Sequence, residues 1–353
     1  MNLKLIEISL SLLLMCLCEG HSNEKKNNNG FMITKSNRLL SELENDKVGV
    51  EVHEDQPVYE DQSNYEVLVR DINGKPVDKN NLKNNIKIVF IDLDGTLLND
   101  RYKISKLNIE SLVKAQNKGI KIVFATGRPM HLANYVIGKD VKKNNLSLVP
   151  GIYFNGGITY GPNGDIMLDN YIDEKLVMDI YNFSKENNFI RRMFWCSLEK
   201  THVFENNGYI DEYLNIVPIM PDIIDEETLK NTKIYKIGIR LDKENLSSVI
   251  KMYQDKFSDR IRVVNTFKTY IELILHNTNK FEGVKALCKH FDISLNEALA
   301  IGDAENDIEM LQGVGTSIAV QNAASEIKEC AKYVGPSNND DAVHHALRTF
   351  CDI

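Results

Sequence analysis

The sequence predicts an α/β protein with a doubly wound, Rossmann-like parallel sheet as its core and a smaller α/β domain inserted into it. Apolar runs of strand length alternate with helical patterns from residue 85 onward, which is typical of strands joined by crossover helices. A block over residues 166–275 interrupts this alternation with strands and helices of its own. The core domain is therefore predicted at residues 83–165 and 276–353, and the inserted domain at residues 166–275.

Continuous apolar runs predict the core strands. "IKIVFID" and "IKIVFATGR" contain no polar alternation, as expected of parallel strands that helices cover on both faces. Between them, "SKLNIESLVKAQNKG" predicts a crossover helix with Ser105 as its N-cap, a core-facing stripe that includes Leu112 and Gln116, and Gly119 at its C-terminal end. "GIYFNGG", "ALAIG" and "TSIAV" predict three further strands of the same sheet.

The inserted block has a pattern of its own. "EKLVMDIYNFSKENN" and "KENLSSVIKMYQDKF" have helical periodicity, whereas "RRMFWCS", "KIYKIGIRL", "RIRVV" and "TYIELIL" are typical of strands. Its aromatic residues, Trp195 among them, are expected to form the core of this small domain rather than a ligand contact.

The N-terminal part of the chain predicts targeting signals. In residues 1–20 a lysine precedes an apolar run that is too short to span a bilayer and ends in small residues, which is typical of a signal peptide. Residues 21–82 are interpreted as leader and linker, low in apolar content and expected to be disordered. Within them Arg38, Leu40 and Glu42 form an R-x-L-x-E pattern that resembles the export element of red-blood-cell parasites. We expect entry into the secretory pathway and export to the host cell, with a plastid-like organelle as the alternative.

Charge and cysteine content exclude several classes of protein. A formal net charge of -8 without a dense stripe of lysine and arginine argues against nucleic acid as a partner. After the signal peptide no run is long and apolar enough to span a membrane. Of the six cysteines, two lie in the signal peptide and the others are scattered, with neither a zinc motif nor a disulfide framework. A small anionic or neutral molecule is the expected partner.

Polar residues follow the predicted core strands at their carboxyl ends, which is where doubly wound sheets bind ligands. They come from four separate strands and comprise Asp92, Asp94, Thr126, Gly127, Asn155, Asp303 and Asp307. Carboxylates crowded at one edge raise each other's pKa unless a cation lies among them. Oxygen ligands of this kind suit Mg²⁺, which usually shares its coordination with a phosphate. Asp92 could then attack phosphorus while Asp94 transfers the protons.

The motifs "DLDGTLL", "ATGR" and "GDAENDIEML" resemble those of the haloacid dehalogenase-like (HAD) phosphohydrolases, in particular the Cof-type branch with a large C2-type cap domain. The resemblance covers roughly residues 85–350. It implies that Asp92 is the nucleophile and Asp94 the general acid and base, with the backbone carbonyl of Asp94 also on the metal. It further implies that Thr126 and the Gly127 amide bind the transferring phosphoryl group.

The same resemblance implies the remaining ligands. Asp92, Asp303 and Asp307 would hold Mg²⁺ together with Asp94, and Asn306 would lie beside the phosphate. The inserted domain occupies the position of the family's cap, which closes over the site, excludes water and selects the substrate.

Members of this family also have a lysine whose ammonium neutralises the phosphoryl oxygens and the nucleophile. "NTNKFEGVKALCKHF" contains two candidates. Lys280 is favoured because it precedes the helical stripe and would lie at the helix N-terminal end facing the rim of the sheet, whereas Lys285 would lie within the helix. Family members usually have glycine directly after this lysine, and here Phe281 stands in that place.

The sequence thus predicts a phosphoric monoester hydrolase. It would be Mg²⁺-dependent and act on small phosphorylated metabolites, with sugar phosphates implied by the resemblance, through an aspartyl-phosphate intermediate. A phosphomutase of the phosphomannomutase type is one alternative, because it shares the two-aspartate motif and a similar cap. A catalytically silent, exported binding protein with the same fold is another, although the intact set of acidic residues argues against it.

Overall fold

The computed structural model describes residues 68–78, 82, 85–217, 219–267 and 269–353. The predicted signal peptide, the R-x-L-x-E pattern and the leader up to residue 67 lie outside the described residues. Within the described ranges the chain forms two β-sheets and ten α-helices.

Strands and helices alternate along most of the described chain. In chain order the strands are β1 (Arg70–Asp71), β2 (Ile88–Ile91), β3 (Lys121–Ala125), β4 (Gly151–Tyr153), β5 (Ile158–Tyr160), β6 (Ile166–Asp169), β7 (Met193–Cys196), β8 (Thr201–Val203), β9 (Asp222–Ile223), β10 (Lys236–Arg240), β11 (Ile261–Phe267), β12 (Tyr270–Leu275), β13 (Ala298–Gly302), β14 (Thr316–Ala319) and β15 (Tyr333–Val334). The helices are α1 (Lys106–Asn117), α2 (Met130–Lys143), α3 (Glu174–Glu186), α4 (Gly208–Ile216), α5 (Glu226–Lys230), α6 (Leu246–Phe257), α7 (Lys280–His290), α8 (Ile308–Gly313), α9 (Ser325–Cys330) and α10 (Ala342–Phe350).

The larger sheet has the strand order β1-β15-β14-β13-β2-β3-β4-β5-β6. Its central strands, from β15 to β4, run parallel, whereas β1, β5 and β6 pair antiparallel at the two edges. Every residue of β2 and of β13 is buried, as expected in a parallel sheet covered on both faces. The doubly wound α/β core predicted from the sequence is therefore confirmed.

The smaller sheet is built from the inserted segment, in the order β11-β12-β10-β7-β8-β9. All its pairs are antiparallel except that of β8 with β9. Along β10, Ile237 and Ile239 are fully buried in an apolar core to which α3 and α6 contribute. Lys236, Gly238 and Arg240 alternate with them and lie on the opposite face of the sheet. The predicted insertion of a smaller α/β domain is thus also confirmed.

Two stretches differ from the predicted domain boundaries. Strand β6 pairs with β5, with Ile158 opposite Asp169, so the segment that begins at residue 166 belongs to the larger sheet and the boundary predicted there lies too early. Strand β1 pairs with β15 and Val69 is buried, although the sequence predicts linker up to residue 82. Neither strand shows a two-residue periodicity in the sequence, because β1 has only two residues and the four residues of β6, IMLD, do not alternate between apolar and polar.

Helix α1 begins as predicted, because the Ser105 side chain accepts a hydrogen bond from the Asn108 amide at 3.0 Å. Its buried face runs through Asn108, Leu112 and Ala115, so Gln116 is exposed and the predicted stripe is rotated by about one residue. None of the described helices is long and apolar enough to cross a membrane.

Candidate active site

Four neighbouring parallel strands bring predicted site residues to one edge of the larger sheet. Asp92 follows β2, Thr126 follows β3 and Asp303 follows β13. Asn155 lies in a short 3-10 turn directly after β4. The strands lie side by side in the order β13, β2, β3 and β4, so their carboxyl ends meet at this edge, which we call the rim.

A buried lysine lies between two carboxylates at the rim. Lys280 is the first residue of α7, and its side chain is fully buried. Its Nζ donates hydrogen bonds to Oδ1 of Asp92 at 2.6 Å and to Oδ1 of Asp307 at 2.7 Å. Lys285 instead pairs with Glu282 at 2.8 Å, with 45% of the Lys285 side chain exposed. Of the two candidate lysines, it is Lys280 that contacts the predicted nucleophile.

Burial and charge act on this cluster in opposite directions. Burial alone would lower the pKa of Lys280, but Asp307 and Asp92 outweigh it and raise that pKa above its ordinary value. Burial raises the pKa of Asp92, an effect that Lys280 opposes and the neighbouring carboxylates reinforce. Burial, together with the Asp307 carboxylate, raises the pKa of Asp303 to about 7. The single ammonium of Lys280 therefore does not compensate the charge of all three carboxylates.

Hydrogen bonds fix the loop that follows β13. Oδ2 of Asp307 accepts from the backbone amides of Asp303 at 3.0 Å and Ala304 at 3.1 Å. Asp307 is thus bound on both oxygens, to the lysine on one and to the backbone on the other. Asp303 is held at the rim from a second side, because its Oδ1 accepts from the hydroxyl of Thr96 at 3.0 Å. Thr96 is a site residue that the sequence did not single out.

Three carboxylates have the spacing of a metal site. One oxygen from each of Asp92, Asp303 and Asp307 lies within 4.8 Å of the others. Gly95 permits this approach: its φ is +80°, and a Cβ at this position would lie 2.3 Å from Oδ2 of Asp303. The carboxylate of Asp94 is not part of this group. Asp94 is predicted to bind the metal through its backbone carbonyl, and this contact stays a prediction.

Arg128 binds the carboxylate of Asp94 in a bidentate ion pair. Its Nε and Nη2 donate to the two carboxylate oxygens at 2.7 and 2.6 Å. Burial alone would lower the pKa of Arg128, but Asp94 outweighs this effect and raises it. The planar guanidinium fixes the orientation of the carboxylate as well as its charge. Arg128 is missing from the predicted site, although it is the last residue of the "ATGR" motif.

The predicted phosphate-binding residues are joined by short contacts. The buried hydroxyl of Thr126 accepts from the backbone amide of Arg128 at 3.1 Å. Nδ2 of Asn306 donates to Oδ1 of Asn155 at 2.8 Å. A Cβ at Gly127 would lie 2.9 Å from that same Oδ1, so the loop after β3 passes directly against Asn155. Asn155, which the sequence placed at a strand end, therefore connects the loops that follow β3 and β13.

The fold and the rim together indicate the class of protein, a hydrolase. They combine a parallel sheet, carboxylates at its rim, a buried lysine between two of them, and a second sheet inserted into the chain. The chain belongs to the haloacid dehalogenase-like hydrolase family, whose sequence profile matches residues 89–347. The family predicted from the motifs is thereby confirmed.

Relatives with phosphatase names support this assignment. A candidate phosphatase of Streptococcus pyogenes is 30% identical over 274 residues, which cover 74% of this chain and 97% of the relative. A phosphatase of Bacillus subtilis is 26% identical over 302 residues, covering 74% and 99% of the two chains. Among solved structures, a candidate HAD/COF-like hydrolase from Plasmodium vivax superposes with a TM-score of 0.71 at 31% identity, covering 76% of this chain and 97% of its own.

Proposed function

We propose that this protein is a Mg²⁺-dependent phosphatase that hydrolyses small phosphorylated metabolites through an aspartyl-phosphate intermediate. The observation that carries the proposal is the contact of 2.6 Å between the Lys280 ammonium and one carboxylate oxygen of Asp92. This contact leaves the second oxygen of Asp92 available for attack, and it holds a positive charge where the phosphoryl oxygens would lie.

The donor set fits a divalent cation. When all three carboxylates are ionised, the one ammonium leaves two negative charges uncompensated at the rim, and oxygen ligands of this kind suit Mg²⁺. Asp92 and Asp303, with Asp307 and the backbone carbonyl of Asp94, would hold the ion. Asp307 already accepts three hydrogen bonds, so it has fewer free lone pairs than Asp303. Bound Mg²⁺ would neutralise the charge of the carboxylates and of the phosphate.

The residues of the rim divide the chemistry between them. A carboxylate oxygen of Asp92 attacks phosphorus and the ester P–O bond breaks, while the carboxyl of Asp94 gives a proton to the leaving alcohol. Asp94 then takes a proton from a water molecule, whose oxygen attacks the phosphorus and releases Asp92 and inorganic phosphate. Thr126 and Asn306 would donate hydrogen bonds to the phosphoryl oxygens, and Arg128 would hold Asp94 in position.

The substrate class is proposed from the relatives. An Escherichia coli relative that is 26% identical over 281 residues, covering 73% of this chain and 93% of its own, is named a 5-amino-6-(5-phospho-D-ribitylamino)uracil phosphatase. Its named substrate is a phosphate ester on a polyhydroxylated carbon chain. A sugar phosphate or a related polyol phosphate is therefore the substrate that we propose for this chain.

The test is phosphate release from a panel that contains sugar phosphates, nucleotides and para-nitrophenyl phosphate, each with Mg²⁺ and with EDTA. We expect turnover with Mg²⁺ and its loss with EDTA, restored when Mg²⁺ is added back. Release of little phosphate from the whole panel, together with isomerisation of a hexose phosphate that needs a bisphosphate activator, would favour a mutase instead. Inactivity in every assay would favour a binding protein.

The destination of the protein is a separate proposal, which rests on the predicted signal peptide and the R-x-L-x-E pattern. We propose export through the secretory pathway. N-terminal sequencing of the mature protein tests it: a new N-terminus directly after Leu40 would support export, and a processing site elsewhere would contradict it.

A further inference from the structure

A buried ion pair in the smaller sheet faces the rim. Nζ of Lys236, on β10, donates to Oε1 of Glu272, on β12, at 2.6 Å. The two side chains keep only 13% and 18% of their surface exposed. Several other ion pairs of this segment are at the surface, such as Lys200 with Asp222, where about half of each side chain is exposed. Arg240 with Glu212 is intermediate, with 14% and 35% of the side chains exposed, so Lys236 and Glu272 form the more deeply buried of these two pairs.

The pair lies on the face of the sheet opposite the core that packs on α3 and α6, and a smaller apolar cluster, which includes Tyr270 of β12, covers part of that face. Ile237 on β10, and Ile271 and Leu273 on β12, are fully buried in the core that packs on α3 and α6. Lys236 and Glu272 alternate with these residues and so lie on the other face. On that side Nζ of Lys236 also donates to the backbone carbonyl of Gly127 at 3.4 Å. The pair is thus in contact with the loop predicted to bind phosphate.

Stability alone does not account for this pair. Removing two charges from water costs several kcal/mol per ion, and an apolar pair of similar volume is commonly as stable or more so. Burial alone would lower the pKa of Lys236, but Glu272 outweighs it and raises that pKa above its ordinary value. The lysine is therefore charged and neutralised by its partner. A role toward a ligand explains why a charged pair is kept here.

We propose that Lys236 and Glu272 determine substrate specificity. They favour substrates whose leaving group is uncharged and carries hydroxyl groups, and they disfavour substrates with a second anionic group. The inference rests on the proposed phosphatase function and assigns the leaving-group side of that same site. The expected substrates are a subset of phosphate esters, namely polyol and sugar monophosphates.

Hydrogen-bond chemistry is the reason. A hydroxyl group both donates and accepts, so it can donate to Glu272 and accept from Lys236 at once. A carboxylate or second phosphate can only accept, so it would bind Lys236 and be repelled by Glu272. Lys236 and Glu272 together therefore have no net charge with which to attract a second anion.

The experiment compares kcat/KM for glucose 6-phosphate and 3-phosphoglycerate in four full-length proteins: the unmodified chain, Glu272→Gln, Lys236→Gln and Glu212→Gln. The unmodified enzyme is expected to prefer glucose 6-phosphate. Glu272→Gln leaves the lysine unpaired and should shift the ratio toward 3-phosphoglycerate by about tenfold or more, the size of one hydrogen bond to a charged group. Lys236→Gln leaves the carboxylate unpaired and should shift the ratio in the opposite direction.

Glu212→Gln is the matched control. Glu212 pairs with Arg240, on the same face of β10, at 2.5 Å, and its loss should leave the ratio within about twofold, because the carboxylate that faces the leaving group is intact. Shifts of opposite sign in the two test variants support the assignment, since a purely structural pair would change the ratio in one direction or in neither. Equal shifts, or a preference of the unmodified enzyme for 3-phosphoglycerate, would overturn it.

A failure of the proposed function would appear differently. In that case the unmodified chain would not hydrolyse para-nitrophenyl phosphate in the presence of Mg²⁺. The selectivity is then measured by calorimetry, as the binding of glucose 6-phosphate and 3-phosphoglycerate to the same four proteins. The two test variants should shift the ratio of the two affinities in opposite directions, and the absence of these shifts would overturn the assignment.

Discussion

The two sheets of this protein place their charged residues in different ways. In the larger, mostly parallel sheet, β2 and β13 are apolar throughout, and charge appears only where they end, at Asp92 and Asp303. In the smaller, mostly antiparallel sheet, charge alternates with apolar residues along a strand, as Lys236 and Arg240 do in β10. A sheet covered by helices on both faces can hold ionic groups only at its edges, whereas a sheet with one face only partly covered by apolar residues can present them along the strand.

This difference assigns different tasks to the two sheets. Changes at the rim of the larger sheet should act on turnover and on the balance of buried charge. Changes inside the smaller sheet should act on its stability, and changes on its outer face should act on selectivity. The following experiments can contradict or refine that division.

The largest effect is expected for Asp92→Asn. It removes the attacking carboxylate and keeps the size of the side chain, so kcat should fall by roughly 10⁴-fold or more. Circular dichroism should show the same secondary structure as in the unmodified protein. Turnover of a sugar phosphate within tenfold of the original value would show that Asp92 is not the nucleophile.

Replacing Lys280 by methionine should weaken both stability and turnover. The change leaves the buried carboxylates of Asp92 and Asp307 without their ammonium, which is expected to cost about 3–5 kcal/mol of the free energy of unfolding. Urea denaturation measures it, and Lys285→Met in the same helix is the control, with an expected change within about 0.5 kcal/mol. Equal losses in the two variants would contradict the central position of Lys280.

Trp195→Ala tests the interior of the smaller sheet. Trp195 is fully buried and packs near the rings of Tyr181 and Phe204. Its truncation should lower the free energy of unfolding by about 3–5 kcal/mol, measured by thermal and urea denaturation. If the variant keeps its stability but shows a large rise in KM, the ring faces the substrate instead of the core of the sheet.

A smaller effect is expected for Gly95→Ala. A Cβ at this position meets Oδ2 of Asp303, and the positive φ is strained for alanine, so the loss of stability should be about 1–3 kcal/mol. Because Asp303 must shift, the Mg²⁺ concentration for half-maximal activity should rise. An unchanged Mg²⁺ dependence would show that the ion does not rely on Asp303. The control is Ala133→Gly, at a small buried residue of α2. This variant should not alter the Mg²⁺ requirement.

The sequence predicted the centre of the larger sheet well and its edges poorly. Long apolar runs and the carboxylates that follow them are local signals, so β2, β13 and the rim could be placed without a structure. Strand β1 depends on a partner far away in the chain, and the four residues of β6 do not alternate between apolar and polar, so neither strand left a periodic pattern. Gln116 was placed on the buried face of α1 because it lies four residues after Leu112 in the helical spacing, but packing rotated that face toward Ala115.

The residues missed at the site have a common physical reason. Arg128 and Thr96 act by binding other side chains, Asp94 and Asp303, over 33 or more intervening residues, and such pairings are set by the three-dimensional arrangement. The only available signal was the position of Arg128 at the end of a strand motif. Lys236 and Glu272 gave a weaker signal of a functional role, since charged residues within a strand pattern usually mark a solvated face.

The order in which the strands are synthesised differs from the order in which they lie. Strand β13 sits between β2 and β14, yet it follows the entire inserted segment in the chain. While the chain leaves the ribosome, β2 therefore has β3 on one side and an open edge on the other. The inserted sheet can complete its pairing before that edge is closed. A nascent chain receives Lys280, Asp303 and Asp307 after the whole inserted segment, so the buried cluster assembles only once that segment has been synthesised.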